Sequence, residues 1–282
     1  MRNPRPTCPN ASCVNHTKPP AGFYRKKGYR RPKHNHQPIP RYQCKACGRK
    51  FCATQVKPIE GQHRPDLNQR IFEMAVSGAS GRRIAQLLGC SQNTVLRKIE
   101  HLADQARERH AKRLAQVQTS FVMMDELETF VHARWKQLSV PVVVRPKTGE
   151  ILAFGVARIP SNMKQGIQGN RWVDNDRPQV VPTVLATVAP CLKAVATIAT
   201  DGDANYPKWI ARYLPGVKHT KRKTPSGNKD YDPLFAVNVL FAKMRNDLAR
   251  LGRKSWTTTK TIQGLENHLW LYVAWVNGYR LR

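Results

Sequence analysis

Acidic residues are scarce in this chain. Its 282 residues hold 18 Asp and Glu against 48 Lys and Arg, a formal net charge of +30. No acid occurs between Met1 and Ile59, a stretch that carries fourteen Lys and Arg. A chain so far from neutrality repels itself unless a polyanion offsets the charge, so a nucleic acid is the expected partner. Long apolar runs are also missing. None approaches the roughly 18 residues of a membrane span, and the opening MRNPRPTCPN lacks the apolar stretch of a secretion signal. No internal repeat is present, which excludes a solenoid. The expected location is the cytoplasm, on the prokaryotic nucleoid, with no membrane contact.

What is present begins with seven cysteines. In an intracellular chain they do not read as a disulfide framework. CPNASC pairs Cys8 with Cys13, and CKAC pairs Cys44 with Cys47. Two such knuckles supply the four thiolates that a tetrahedral structural zinc requires, with no position left open for catalysis. Gly48 suits the tight turn after the second pair, and RYQC and RKF read as short strands. Residues 1–58 are therefore expected to form a zinc ribbon. His16, His34, His36 and Cys52 are rival ligands, and each reads better as a solvated or DNA-facing side chain.

Residues 64–115 show helical periodicity. Within Gly78–Leu102, Ile84, Leu87 and Leu88 form one apolar face, Gly89 permits a turn, and Ser91 caps the next helix. Val95, Ile99 and Leu102 then point inward. Gln92, Asn93, Thr94, Arg97 and Lys98 are left near the exposed side, where a recognition helix reads base edges and grips phosphates of double-stranded DNA. An ordinary helical hairpin is the plainer reading, but a small turn, a cap and a basic outer face together favour a helix-turn-helix.

From residue 119 the pattern changes to short β-branched runs. SFVMMDELETFVH, SVPVVV and ILAFGVARI predict an antiparallel meander. SNMKQGIQGNRWVDND reads as a loop and RPQVVPTVLATVAPCL as a helix despite Pro182. KAVATIATDG reads as a buried strand, YPKWIARYL as a short helix, GVKHTKR as a short strand and KTPSGNKDY as a basic loop. YDPLFAVNVLFAKMRNDLARLGRKS predicts a helix opened by Asp232 and Pro233 and stopped at Gly252, and TIQGLENHLWLYVAWVNGYR a last one. Three strands, helix, strand, helix, strand, helix is an α/β layout with a mixed sheet, the order of an RNase H-like domain over 119–282.

Asp125 lies inside an apolar strand and Asp201 at the end of another, and a charge there is costly unless it is paired or on a metal. In this layout the two strands are neighbours and the acids converge, as a pair of Mg²⁺ or Mn²⁺ ions would require. Glu126 and Glu128 point away from Asp125 by strand alternation, Asp203 reads as a cap, and Asp174 and Asp176 lie in the loop. The helix after Tyr231 is expected against the sheet edge, with Arg245, Arg250, Arg253 and Lys254 on DNA phosphates. The third metal-site residue is open between Asp232, which also reads as an N-cap before Pro233, and Asn238.

The stretches MMDELETFV, ATDGDANY and above all LARLGRKSWTTTK resemble the transposases of the insertion sequence one family. The ribbon and helix-turn-helix resemble the DNA-binding part of that family, so the likeness covers most of the chain. In many members the two halves are separate reading frames; here they are fused. The resemblance implies a DDE-type transposase that cleaves element ends with water and joins the freed 3′-hydroxyl to target DNA, as a homo-oligomer on DNA. It places Asp125 and Asp201 on the first two acids. The family's Glu position falls on Asn238, and Phe241 replaces the usual Asn. The alternative expectation is a non-catalytic DNA-binding regulator or a decayed transposase.

Overall fold

The computed structural model describes residues 7–31, 38–52, 62–222, 232–252 and 255–281. Expectations placed on His34, His36, the basic loop at 223–231, Arg253 and Lys254 lie outside them. Contacts divide the chain into two compact units, Met1–Leu67 and Asn68–Leu281. Among the described residues no helix is long and apolar enough to cross a membrane.

The first unit holds a three-stranded antiparallel sheet, β1 (Tyr24–Arg30), β2 (Ile39–Cys44) and β3 (Lys50–Cys52). Strand β1 is an addition to the expected pair. Its YRKKGYR sequence is exposed at every residue but Tyr24, so it shows no alternation to read. Phe23 and Phe51 stack with their rings 6.0 Å apart and pack with Cys8, Cys13 and Cys44 into a small core.

The second unit opens with three helices, α1 (Asn68–Ala75), α2 (Gly81–Leu88) and α3 (Gln92–Leu114). Gly89 adopts a left-handed φ of 60° and closes α2, while Ser91 Oγ accepts from Thr94 N at 3.1 Å and opens α3. Leu87 departs from its expected inward place and is half exposed, because Ala85 takes the buried position beside Ile84.

A mixed sheet follows. Its strands are β4 (Thr119–Phe130), β5 (Gln137–Arg145), β6 (Glu150–Phe154), β7 (Ala157–Arg158), β8 (Leu192–Thr200) and β9 (Lys218–Lys221). They run in the order β6-β5-β4-β8-β9, antiparallel across β6, β5 and β4 and parallel across β4, β8 and β9. The remaining helices are α4 (Lys164–Ile167), α5 (Arg177–Val188), α6 (Tyr206–Tyr213), α7 (Phe235–Asp247) and α8 (Ile262–Val276).

Met124, Val143 and Ile198 meet Val181 and Leu185 of α5 and Tyr206 and Ile210 of α6 in one buried cluster. Alternation turns Met123 and Asp125 to the other face of β4, and α7 packs on β4 and β5. The helical region does not stand apart from the sheet. Arg107 of α3 donates to Asn267 of α8 at 2.7 Å, and His110 of α3 bonds the Leu152 carbonyl at 2.9 Å.

Three elements differ from expectation. The stretch after Arg158 contains the short helix α4 and a 3-10 turn at Gln168–Asn170, so it is not wholly loop. The helix expected over 232–252 runs only from Phe235 to Asp247. Leu248 turns extended before a 3-10 turn at Ala249–Leu251. The strand expected over ILAFGVARI is split at Gly155, where α5 comes so close that a Cβ would run into Val180 and lie 3.1 Å from Val184. Gly155→Ala should therefore overpack this contact and cost about 1–3 kcal/mol, read as a lower urea midpoint. An unchanged midpoint would show that α5 can retreat freely.

Candidate functional site

Strand register builds the site. Met123 of β4 pairs with Ala199 of β8, and Ala199 with Thr220 of β9. Two residues further along these parallel strands, Asp125, Asp201 and Arg222 come level. All three line one cleft of about 310 Å³, together with Gly202, Asp232, Pro233, Leu234 and Asn238. Asp125 and Asp201, read as converging from the sequence, are thus brought together, and both Asp232 and Asn238 join them.

The two rivals are in contact with each other. Asn238 Nδ2 donates to both oxygens of Asp232, at 3.1 and 2.9 Å. A carboxylate accepts only, so the amide must present its NH₂ and leave its own oxygen facing elsewhere. Asp232 also accepts from Leu234 N at 2.9 Å, which makes it the head of a turn. It is not the N-cap of α7; that position falls to Leu234, whose side chain makes no capping bond.

Asp125 Oδ1 accepts from Glu126 N at 2.8 Å, and Asp201 Oδ1 from Asp203 N at 3.1 Å. Among the described residues no Lys or Arg pairs with Asp125, Asp201 or Asp232. Burial, helped by the charges of Asp201, Glu126 and Asp232 and opposed by the Glu126 N–H, pushes the Asp125 carboxyl up to about 6.

Glu126 faces the opposite way and is fully satisfied. Arg177 Nη2 donates to it at 2.6 Å and Tyr206 OH at 2.7 Å, and Ser139 Oγ donates as well. Arg177 also donates to Asp203 at 2.9 Å. These groups line a neighbouring cleft of about 260 Å³ that shares Asp125 and Asp201. Asp203 accepts from Asn205 N at 2.8 Å, the capping turn expected of it. Asp174 and Asp176 both pair with Arg158. Sequence reasoning missed Arg222 and the Arg177 network. The alternation of β4 was the available signal for the second, because a half-buried Glu126 demands a cation.

The residues expected on DNA divide. Gln92, Asn93 and Arg97 are exposed at the start of α3. Lys98 corrects its expectation: it is only 6% exposed. It sits beside Val95, Ile99 and Leu102 in a buried stripe, widened because α3 packs against α1, α2 and α8. Arg250 is a second correction. Its Nε donates to His268 Nδ1 at 2.8 Å, so it faces inward, and burial brings its pKa down to about 10. Arg245 is half-buried on α7.

In the first unit, the sulfurs of Cys8, Cys13, Cys44 and Cys47 all lie within 4.8 Å of one another. Cys8 and Cys47 are 3.5 Å apart and Cys13 and Cys44 3.7 Å. A zinc–thiolate tetrahedron with bonds near 2.3 Å has edges of about 3.8 Å. Gly48, at φ 70°, makes the expected tight turn. Burial pushes the Cys8 thiol up to about 12. Burial also works against the Cys44 thiolate, but the Asn15 amide and the N–H groups of Cys47 and Ala46 outweigh it and bring that thiol down to about 6. The His16 ring bonds the Cys8 carbonyl at 2.7 Å, and neither His16 nor Cys52 belongs to the cluster.

No protein-family model matches the chain, and no curated protein matches it.

The raised Asp125 carboxyl sets a pH dependence. Its folded pKa exceeds the unfolded value, so the stabilisation it contributes is full below about pH 4 and is lost as pH rises through about 6. Asp125→Asn should flatten that fall and stabilise the metal-free protein near pH 7 by on the order of 2 kcal/mol. Urea unfolding across this range checks it, and parallel wild-type and variant curves would refute it.

Proposed function

We propose that the chain is a DDE-type DNA transposase that binds the ends of a mobile element and performs divalent-metal-dependent strand cleavage and strand transfer. The observation that carries this reading is the level placement of Asp125 and Asp201 by parallel register, in a cleft closed by Asp232, with no cationic side chain paired to any of the three among the described residues. A protein that used these acids only for stability would pair them, as it pairs Glu126 with Arg177. The strand order β6-β5-β4-β8-β9 supports an RNase H-like assignment for the α/β part. The exposed start of α3 and the +30 charge support double-stranded DNA as partner.

The donor set fits a hard cation, since carboxylate oxygens suit Mg²⁺ or Mn²⁺. When bound, such ions supply the positive charge that phosphoryl transfer needs on its attacking and leaving oxygens. Asp125, inside β4, and Asp201, just past the end of β8, are two fixed ligands. Asp232 is the third, and Asn238 holds it in the cleft through the two amide bonds. Asn238 thus positions the ligand without supplying its charge. In the first unit Cys8, Cys13, Cys44 and Cys47 hold a structural zinc.

The test is cleavage of plasmid DNA carrying the sequences that flank the coding region, with Mg²⁺ or Mn²⁺. Asp125→Ala, Asp201→Ala and Asp232→Asn should reduce it to background. Asn238→Ala should lower it about 10- to 100-fold, the range for groups that orient a ligand. Full activity in Asp232→Asn with complete loss in Asn238→Ala would move the third ligand to Asn238. A wild-type chain that binds the ends yet never cuts would favour the regulator reading.

Zinc has its own check, because metal binding in small cysteine modules is folding free energy. The purified protein should carry zinc, and chelation or Cys44→Ser should expose the first unit to protease while Asn68–Leu281 stays resistant. Unchanged protection without zinc would remove the metal from this account.

A further inference from the structure

Arg222 differs from the other arginines near the cleft. Arg177 is locked between Glu126 and Asp203, and Arg158 between Asp174 and Asp176. Arg222 is exposed and makes no ion pair among the described residues, although it lines a cleft with three carboxylates. Its backbone is fixed. Its N–H donates to the Thr200 carbonyl at 2.8 Å, which extends the pairing of Thr200 with Lys221 by one step and sets it beside Asp201.

We infer that Arg222 grips a phosphate of the DNA strand inside the cleft, next to the bond that is cut, and is a positioning residue for strand cleavage. The inference rests on the proposed function and adds a residue to it. A phosphodiester entering a cleft of carboxylates meets like charge on three sides. Cations held by the acids offset that repulsion at the reacting oxygens but do not fix the strand's direction. A guanidinium can do so, because its planar fork donates two parallel bonds to one phosphate. Arg222 follows the end of β9, the strand beyond β8, which sets it to the side of the two fixed acids, where a flanking phosphate lies when the scissile one is between Asp125 and Asp201.

The experiment uses the full chain and a short mixed-sequence duplex labelled for fluorescence anisotropy. Binding is measured in Ca²⁺ across a salt series. Arg222→Gln should reduce the slope of log affinity against log salt by about 0.9, the share of one phosphate contact. Arg222→Lys should restore the slope. In the Mg²⁺ cleavage assay Arg222→Gln should lower kcat at least tenfold, and Arg222→Lys should recover it only in part, since a point charge lacks the fork. An unchanged slope overturns the inference. So does a loss of thermal stability in Arg222→Gln that Asp201→Asn restores, because that marks Arg222 as a counter-ion of the acids. A loss confined to KM also overturns it, by placing the contact away from the reacting bond. Failure of the wild-type chain to cut DNA would count against the proposed function, and the salt slope would still decide on Arg222.

Discussion

The register between β4 and β8 is the constraint on which the rest depends. Parallel pairing of Met123 with Ala199 brings Asp125, inside β4, and Asp201, just past the end of β8, into one cleft. Two carboxylates so placed repel, and the folded chain bears that cost because the pairing of Phe121–Met123 with Thr197–Ala199 holds the register. Slippage by one residue would turn Met124 and Ile198 out of the core, so packing against α5 and α6 enforces the juxtaposition. The apolar face of the sheet thus supplies the free energy that keeps two like charges together on its other side.

The two faces of β4 treat acids in opposite ways. Glu126 is met by a guanidinium, a phenol and a hydroxyl, every one bonded, and the charge of Arg177 is shared with Asp203. That arrangement is closed and has no capacity left for a ligand. One residue earlier, Asp125 accepts a backbone N–H and no cation pairs with it among the described residues, while the charges of Asp201, Glu126 and Asp232 act on it. An unpaired acid beside a satisfied one on the same strand is what the proposed metal site requires and a structural ion pair lacks. Asn238 belongs to this logic. It donates both amide bonds to Asp232 and brings no charge of its own into the cleft.

Much of this was legible in the sequence, for identifiable reasons. The α/β layout, Asp125 and Asp201 could be read because an acid interrupts a period-2 apolar strand and another ends one. Gly89 and Ser91 could be read because a left-handed turn and an N-cap each restrict residue type. The four cysteines could be read from spacing alone. What failed depended on tertiary partners. Lys98 looked exposed because three apolar residues already defined an inner face, and nothing local announced that the added contact with α8 would widen it. Arg250 looked like a phosphate ligand until Leu248 broke the helix and turned the following segment onto His268. The bond between Asp232 and Asn238 spans a turn and the first turn of α7, so helical spacing does not describe how the two meet.

Helix α8 joins the helical region to the cleft. His268, buried on α8, accepts from Arg250 at Nδ1, so its other nitrogen carries the proton and donates to the Ala75 carbonyl at the end of α1. Burial, reinforced by the Arg250 charge, brings its pKa down to about 3, which keeps the ring neutral and the tautomer fixed. Beside it, Gly78 N donates to the Asp247 carbonyl at 2.6 Å, and Tyr272 OH donates to the Asp247 carboxylate at 3.0 Å. The turn before α2 is therefore bonded to the C-terminal end of α7, the helix that carries Asn238 at its other end. On the proposed reading, DNA held by the start of α3 stands at a set distance from Asp125 and Asp201, because these bonds tie the helices to α7 within one compact unit. Placement of the cut relative to the recognised bases would then be a property of this packing, and the fully bonded His268 would be one of the groups that fixes it.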